Sequence, residues 1–200
     1  MSIAFYTARQ GVLKMQKAMD ITSNNIANVS TNGFKPLRAS FSDLIYTVRN
    51  KNDADVNVGH GAKIDKTDLM FDVGTMISTG GQLDFATPSE GLFALKKANG
   101  DTVYSKDGAF RIQQNGEQWN IVDKSGSKVL DYNGNPIIAT FNADGSVEAN
   151  AVNESLGVYK FANPNGLTPD GNNYYSATDS SGVAQADQTM QKMSGFLEGS

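Results

Sequence analysis

The side chains that could do chemistry at neutral pH are few and scattered. The single histidine, His60, sits between Gly59 and Gly61. A Ser-His-Asp relay needs such an imidazole beside a positioned hydroxyl and a carboxylate. No serine lies in the Gly-x-Ser-x-Gly elbow that would present one, so His60 reads as a turn residue. The absence of cysteine removes disulfides, thiolate metal ligands and a thiol nucleophile. No glycine-rich phosphate loop stands between a strand and a helix. Asp131-x-Asn133-x-Asn135 opens like a calcium loop, but Pro136 replaces the required glycine and Asn142 stands where a bidentate Glu belongs. That run is expected to be a plain β-turn. The Asn-x-Ser sequons at Asn28 and Asn153 are short and read as chance. No catalytic, cofactor-binding or metal-ligating residue is therefore expected, and neither a cofactor nor a small-molecule substrate.

Composition narrows the partners. The 200-residue chain has a net charge of −4, a pI near 4.9 and a hydrophobic fraction of 39%. A mildly acidic chain has no general attraction for nucleic acid, whose affinity comes largely from neutralised phosphates, so no nucleic-acid partner is expected. Arg9, Gln10, Lys14, Gln16 and Lys17 interrupt the apolar residues near the start. That leaves no apolar core for a cleaved secretory signal.

Three zones differ in pattern and give the expected division: an N-terminal helix and signature over 1–33, a linker over 34–61 and a β-domain over 62–200. The expected fold is mainly β, with a long coiled-coil-type helix preceding an antiparallel β-domain. Phe5, Ala8, Val12, Met15, Met19, Thr22, Ile26 and Val29 step by alternating threes and fours, the spacing of a heptad seam. Such a helix would be about 36–40 Å long at 1.5 Å per residue, weakening at Asn24 and Asn25 and stopping before Asn32-Gly33. Phe41, Leu44, Ile45 and Val48 predict a short helix, and 50–61 a loop. Ala62 to Leu69 and Met76 to Phe85 predict strands. From 91 to 162, Asn-Gly, Asp-Gly and Ser-Gly dipeptides recur between short apolar runs, the rhythm of hairpins whose turn residues tolerate positive φ. Because those strands and turns lie beyond residue 33, the β-domain is expected to fold without residues 1–33. Another helix of comparable length is not predicted, so the apolar stripe needs cover from another chain. The stripe is read as an assembly surface.

The run Thr22-Ser23-Asn24-Asn25-Ile26-Ala27-Asn28-Val29-Ser30-Thr31-Asn32-Gly33-Phe34-Lys35 resembles the N-terminal signature of flagellar rod and hook proteins. The family pattern sits on Ser23 to Asn28 and Thr31 to Lys35. The resemblance extends through Phe41 to Tyr46, Gly91 to Leu95, Tyr104 to Phe110, Phe161 to Leu167 and Gly195 to Ser200, so it spans nearly the whole chain. It is strongest to the distal-rod branch, with the proximal rod and the hook as alternatives. The family continues past the Gly195–Ser200 stretch into a C-terminal helix that pairs with the first, and here the sequence stops at Ser200. The resemblance implies a structural subunit of the bacterial flagellar basal body. Such a subunit polymerises with copies of itself and with other rod and hook subunits into a hollow shaft that transmits torque from motor to hook. It also implies passage through the flagellar type III export apparatus without a cleaved signal. For the signature asparagines it leaves two readings open: hydrogen bonds between subunits, or termination of the helix. The competing function is a cell-wall-binding β-domain or enzyme, which the lack of a catalytic motif disfavours.

Overall fold

The computed structural model describes residues 3–44, 46–51, 54–59 and 62–200, with side chains described for 5–44 and 62–200. His60 and Ile45 fall outside the described residues. By contacts the chain forms two compact units, one of residues 1–28 and 36–70, the other of residues 29–35 and 71–200. The expected split into 1–33, 34–61 and 62–200 differs from this in a physical way. The chain leaves the first unit, contributes residues 29–35 to the second, and returns.

In the first unit, helix α1 (Ile3–Ala27) runs as the seam spacing predicts. Its last turn closes with Asn28 N–H donating to the Asn24 and Asn25 carbonyls at 3.2 Å. Val29, expected on the seam, lies beyond the helix in a turn. The segment after the signature is extended. Strand β1 (Leu37–Asp43) is followed by β2 (Tyr46–Lys51), β3 (Ala54–Gly59) and β4 (Ala62–Leu69), with β1 antiparallel to β4 and β2 to β3. The predicted helix is thus corrected to strand at Phe41 and Val48, and the predicted loop over 50–61 is corrected to strand at its described residues, 50–51 and 54–59. Phe41 pairs with Ile64 across a register slip and stays 44% exposed, so its spacing to Leu44 marks no buried helix face. The reading of 62–69 as a strand holds as made.

The second unit carries β5 (Met76–Ser78), β6 (Phe85–Ala86), β7 (Leu92–Lys96), β8 (Thr102–Ser105), β9 (Arg111–Asn115), β10 (Gln118–Val122) and β11 (Lys128–Val129). Helix α2 (Ala149–Ser155) follows, then β12 (Val158–Lys160), β13 (Thr168–Pro169), β14 (Tyr174–Ser176), β15 (Gln185–Ala186), β16 (Met193–Ser194) and β17 (Phe196–Glu198). One antiparallel sheet runs β13-β14-β8-β7-β11-β10-β9, with β12 and β15 joined beside β7. The continuous apolar run Leu92-Phe93-Ala94-Leu95 is buried on both sides of β7. Phe93, Leu95, Val103, Ile121 and Val129 enter one core cluster, which Val152 of α2 also joins. The predicted strand over 76–85 is two short strands that pair with the chain's last strands, β5 with β17 and β6 with β16.

The hairpin rhythm is real; Asn115 pairs with Gln118 across a two-residue turn with Gly116 at positive φ, but four other turns are of a different kind. In Lys97–Asp101, Asp123–Ser127, Asp131–Asn135 and Asn142–Ser146, the first residue accepts from the glycine N–H and donates its own N–H to the fifth residue's carbonyl. Gly100, Gly126, Gly134 and Gly145 have positive φ, and their preceding residues do not. This is a type I turn closed by a left-handed glycine bulge, which needs one permissive residue where a two-residue type I′ turn needs two. Asp131 Oδ1 accepts from the N–H groups of Asn133 and Asn135 at 2.8 Å, which adds an Asx turn to the plain β-turn that the sequence predicted.

Candidate assembly site

Two features carry the signature's residues: an exposed apolar stripe on α1 and a buried anchor at its end. On α1, Phe5, Val12, Met15, Met19 and Ile26 are between 61% and 69% exposed. Ala8 and Thr22 are exposed with them. Val29, beyond the helix, is 67% exposed. Thr22 Oγ1 donates to the Ala18 carbonyl of its own helix at 3.0 Å. The residues predicted as a seam are thus brought onto one helix face, apart from Val29.

The signature asparagines act inside the chain. Asn25 brackets Leu37 at the start of β1: its Nδ2 donates to the Leu37 carbonyl at 2.8 Å and its Oδ1 accepts from the Leu37 N–H at 3.0 Å. Both amide functions are used, so this side chain fixes where the strand leaves the helix. Asn28 Nδ2 donates to the Asn24 carbonyl at 2.9 Å, a local terminator. The Asn32 carbonyl accepts from Asn173 Nδ2 at 2.8 Å, within the second unit.

The end of the signature is anchored more firmly. Gly33 has φ +63°, and a Cβ there would lie 2.6 Å from the backbone carbon of Lys106, so both conformation and space require glycine. Its N–H donates to the Glu198 carbonyl at 2.7 Å. Lys35 follows, 3% exposed, with Nζ 2.6 Å from Glu198 Oε1 and 2.5 Å from the Asp72 carbonyl. The same carboxylate oxygen accepts from the Gly74 N–H at 2.9 Å. Glu198 Oε2 lies 3.2 Å from Lys106 Nζ. That ammonium already donates to the carbonyls of Thr87, Ser89 and Gly91. With three donors and three acceptors its hydrogen bonds are spent, and Glu198 Oε2 holds it by charge alone.

One carboxylate thus serves two buried cations. Burial pushes Lys106 down to about 8, with Glu198 opposing the shift and Lys35 adding to it. Burial also pushes the neighbouring Tyr175 phenol up to about 12. A lysine titrating near neutrality can mark a catalytic base, but Lys106 is 2% exposed and wrapped by carbonyls, so no substrate reaches it. The sequence pointed to Lys35 only through the signature. Lys106 and Glu198 were missed as partners, although the resemblance covered both, because a contact between Lys35 and Glu198 leaves no local pattern.

A family model described as flagella basal body rod protein matches residues 5–35, the stretch that holds both stripe and anchor. The chain is 33% identical over 201 residues to the flagellar basal-body rod protein FlgG of Borreliella burgdorferi, covering 90% of this chain and 75% of that one. It is 34% identical to FlgG of Agrobacterium fabrum, over 90% and 76%. The flagellar hook protein FlgE of Escherichia coli matches at 35%, but over 65% of this chain and 30% of its own length. The relatives match across the β-domain as well as the helix, and the chain folds as an N-terminal helix followed by antiparallel sheets. This chain belongs to the flagellar basal-body rod protein family.

Proposed function

We propose that this protein is a structural subunit of the flagellar rod whose α1 stripe, Phe5, Ala8, Val12, Met15, Met19, Thr22 and Ile26, is buried against neighbouring subunits in a hollow, torque-bearing shaft. The observation that carries this reading is the exposure of Phe5, Val12, Met15, Met19 and Ile26, each above 60% on one helix face. An apolar helix stripe left in water has no favourable term of its own and is stabilised by a partner. Other rod and hook subunits supply such partners in this family. The protein has no catalytic role, and it reaches the basal body through the flagellar type III export apparatus without a cleaved signal peptide.

The test is Met15→Glu with Met19→Glu. The two positions are one helical turn apart and face one partner. Each methionine should contribute roughly 1.5–3 kcal/mol when buried, and a buried unpaired carboxylate is strongly unfavourable. The double variant is expected to keep the β-domain's thermal unfolding and to abolish rod growth and motility when it replaces the chromosomal copy. Normal swimming by that strain would show that the stripe is not an assembly surface.

A further inference from the structure

The β-domain's sheet presents a row of like charges that form no ion pair among the described residues. Arg111 pairs with Val122, Val122 with Lys128, and Lys128 with Lys96 across β9, β10, β11 and β7. Directly paired residues share a face. Their sequence neighbours Ile121, Val129 and Leu95 enter the core cluster, with Ile112 packed against it, so Arg111, Lys128 and Lys96 share the face opposite the core. Like charges directly opposite across strands are destabilising. Among the described residues no ion pair involves any of the three. A cleft of about 540 Å³ opens at this row, and its lining includes Lys96, Lys128, Gln113 and Asn120 but no carboxylate. Asn120, in that lining, is 4% exposed. In a chain of net charge −4, this is a local site for carboxylates.

The opposite charge lies on the other side of the same sheet. Val152 of α2 is buried in the core cluster and Val147 packs against it, so residues 147–155 cover the core side. Their outward residues include Glu148 and Glu154, with Asp144 in the preceding turn; all are exposed and none is in an ion pair among the described residues. Lys192 lies by the end of α2, but its ammonium is taken by the carbonyls of Asn153, Glu154 and Leu156 and by the Tyr132 hydroxyl. Opposite charges on opposite faces of one sheet do not meet within a copy. A contact between copies would bring them together, and because the two surfaces differ it would be head-to-tail and would propagate.

We propose that the β-domain makes its own electrostatic contact between copies of this chain, in which the Arg111–Lys128–Lys96 row of one copy receives the Asp144–Glu154 segment of the next. The second copy as occupant rests on the reading of this protein as a rod subunit. The contact is independent of the α1 stripe.

Charge exchange tests it, in full chains that also carry Met15→Glu and Met19→Glu so that the helix contributes nothing. Sedimentation velocity would compare that parent with Lys96→Glu/Lys128→Glu, with Glu148→Lys/Glu154→Lys, and with an equimolar mixture of the two. The parent is expected to associate, and to do so about tenfold more weakly when salt is raised from roughly 50 to 500 mM. Each reversed protein alone should lose association, and the mixture should recover it, because each row then faces a segment of opposite sign. Urea midpoints check folding, and Lys96→Gln/Lys128→Gln replaces a reversal that fails to fold. A parent that does not associate, reversals that associate as the parent does, or a mixture that stays monomeric would each overturn the proposal. Comparing the chain with and without the methionine substitutions reads the helix contact separately, so the two readings fail independently.

Discussion

Glu198 sets the behaviour of the β-domain at the scale of single residues, because one buried carboxylate holds two buried ammoniums. Glu198→Gln keeps the shape and removes the charge, leaving Lys35 and Lys106 uncompensated. Breaking a buried pair from one side costs about 3–5 kcal/mol, and urea unfolding followed by tyrosine fluorescence should show a loss of that order. Lys106 gives the same cluster a pH signature. Its folded pKa of about 8 lies below its ordinary 10.5, so between these values the unfolded chain binds more protons than the folded one. Through this group stability rises with pH from about 8 and is lowest below it. Tyr175 acts in the opposite sense above its ordinary 10, since its folded value is raised to about 12. The gain should therefore appear between pH 8 and 10 in urea midpoints, and Lys106→Met should flatten it. An unchanged pH profile in that variant would assign the effect elsewhere. Gly33→Ala should cost more than about 2 kcal/mol, the left-handed penalty of 1–2 kcal/mol plus the collision with Lys106. The sequence made Lys35 visible through its signature, but its partner stands 163 positions away. Spacing rules see neighbours on one element, and an ion pair across the chain leaves no periodicity.

Elements that advertise their period were legible, and elements defined by a distant partner were not. Helix α1 and strand β4 follow from apolar spacing and a uniform polar strand, and the recurring glycines mark the hairpins. The stretch from Phe41 to Val48 was misread as a helix because Phe41, Leu44, Ile45 and Val48 fall at helical spacing, whereas β1, which holds Phe41, is set by pairing with β4 and by Asn25 at its start. α2 was missed because the core takes Val152 as its one fully buried residue, too little for a visible stripe. Asn25→Ala is the test at this scale. It removes both hydrogen bonds to Leu37, each worth about 1 kcal/mol net. Faster hydrogen exchange is expected at the β1 amides near Leu37, with the middle of α1 unchanged. Unaltered exchange at β1 would show that strand pairing alone fixes the junction.

Across the whole molecule, the expectation that residues 1–33 could be removed without touching the β-domain needs correction. The Asn32 carbonyl and the Gly33 N–H make hydrogen bonds to Asn173 and Glu198, so the signature's end is part of that domain. A chain starting at residue 29 should unfold cooperatively, and one starting at 34 should be less stable, by about 2 kcal/mol for two hydrogen bonds. That α1 carries an exposed apolar stripe was legible from its spacing, since no residue of α1 whose side chain is described is buried. The native chain has no cysteine, so single cysteines report on contacts cleanly. Met19→Cys and, on the polar flank of α1, Lys17→Cys would each be placed in the chromosomal gene, and purified basal bodies treated with a short bifunctional thiol reagent. Met19→Cys is expected to give subunit–subunit dimers in high yield and Lys17→Cys few. Equal yields from the two positions, or dimers from neither in intact basal bodies, would contradict burial of the α1 stripe between rod subunits.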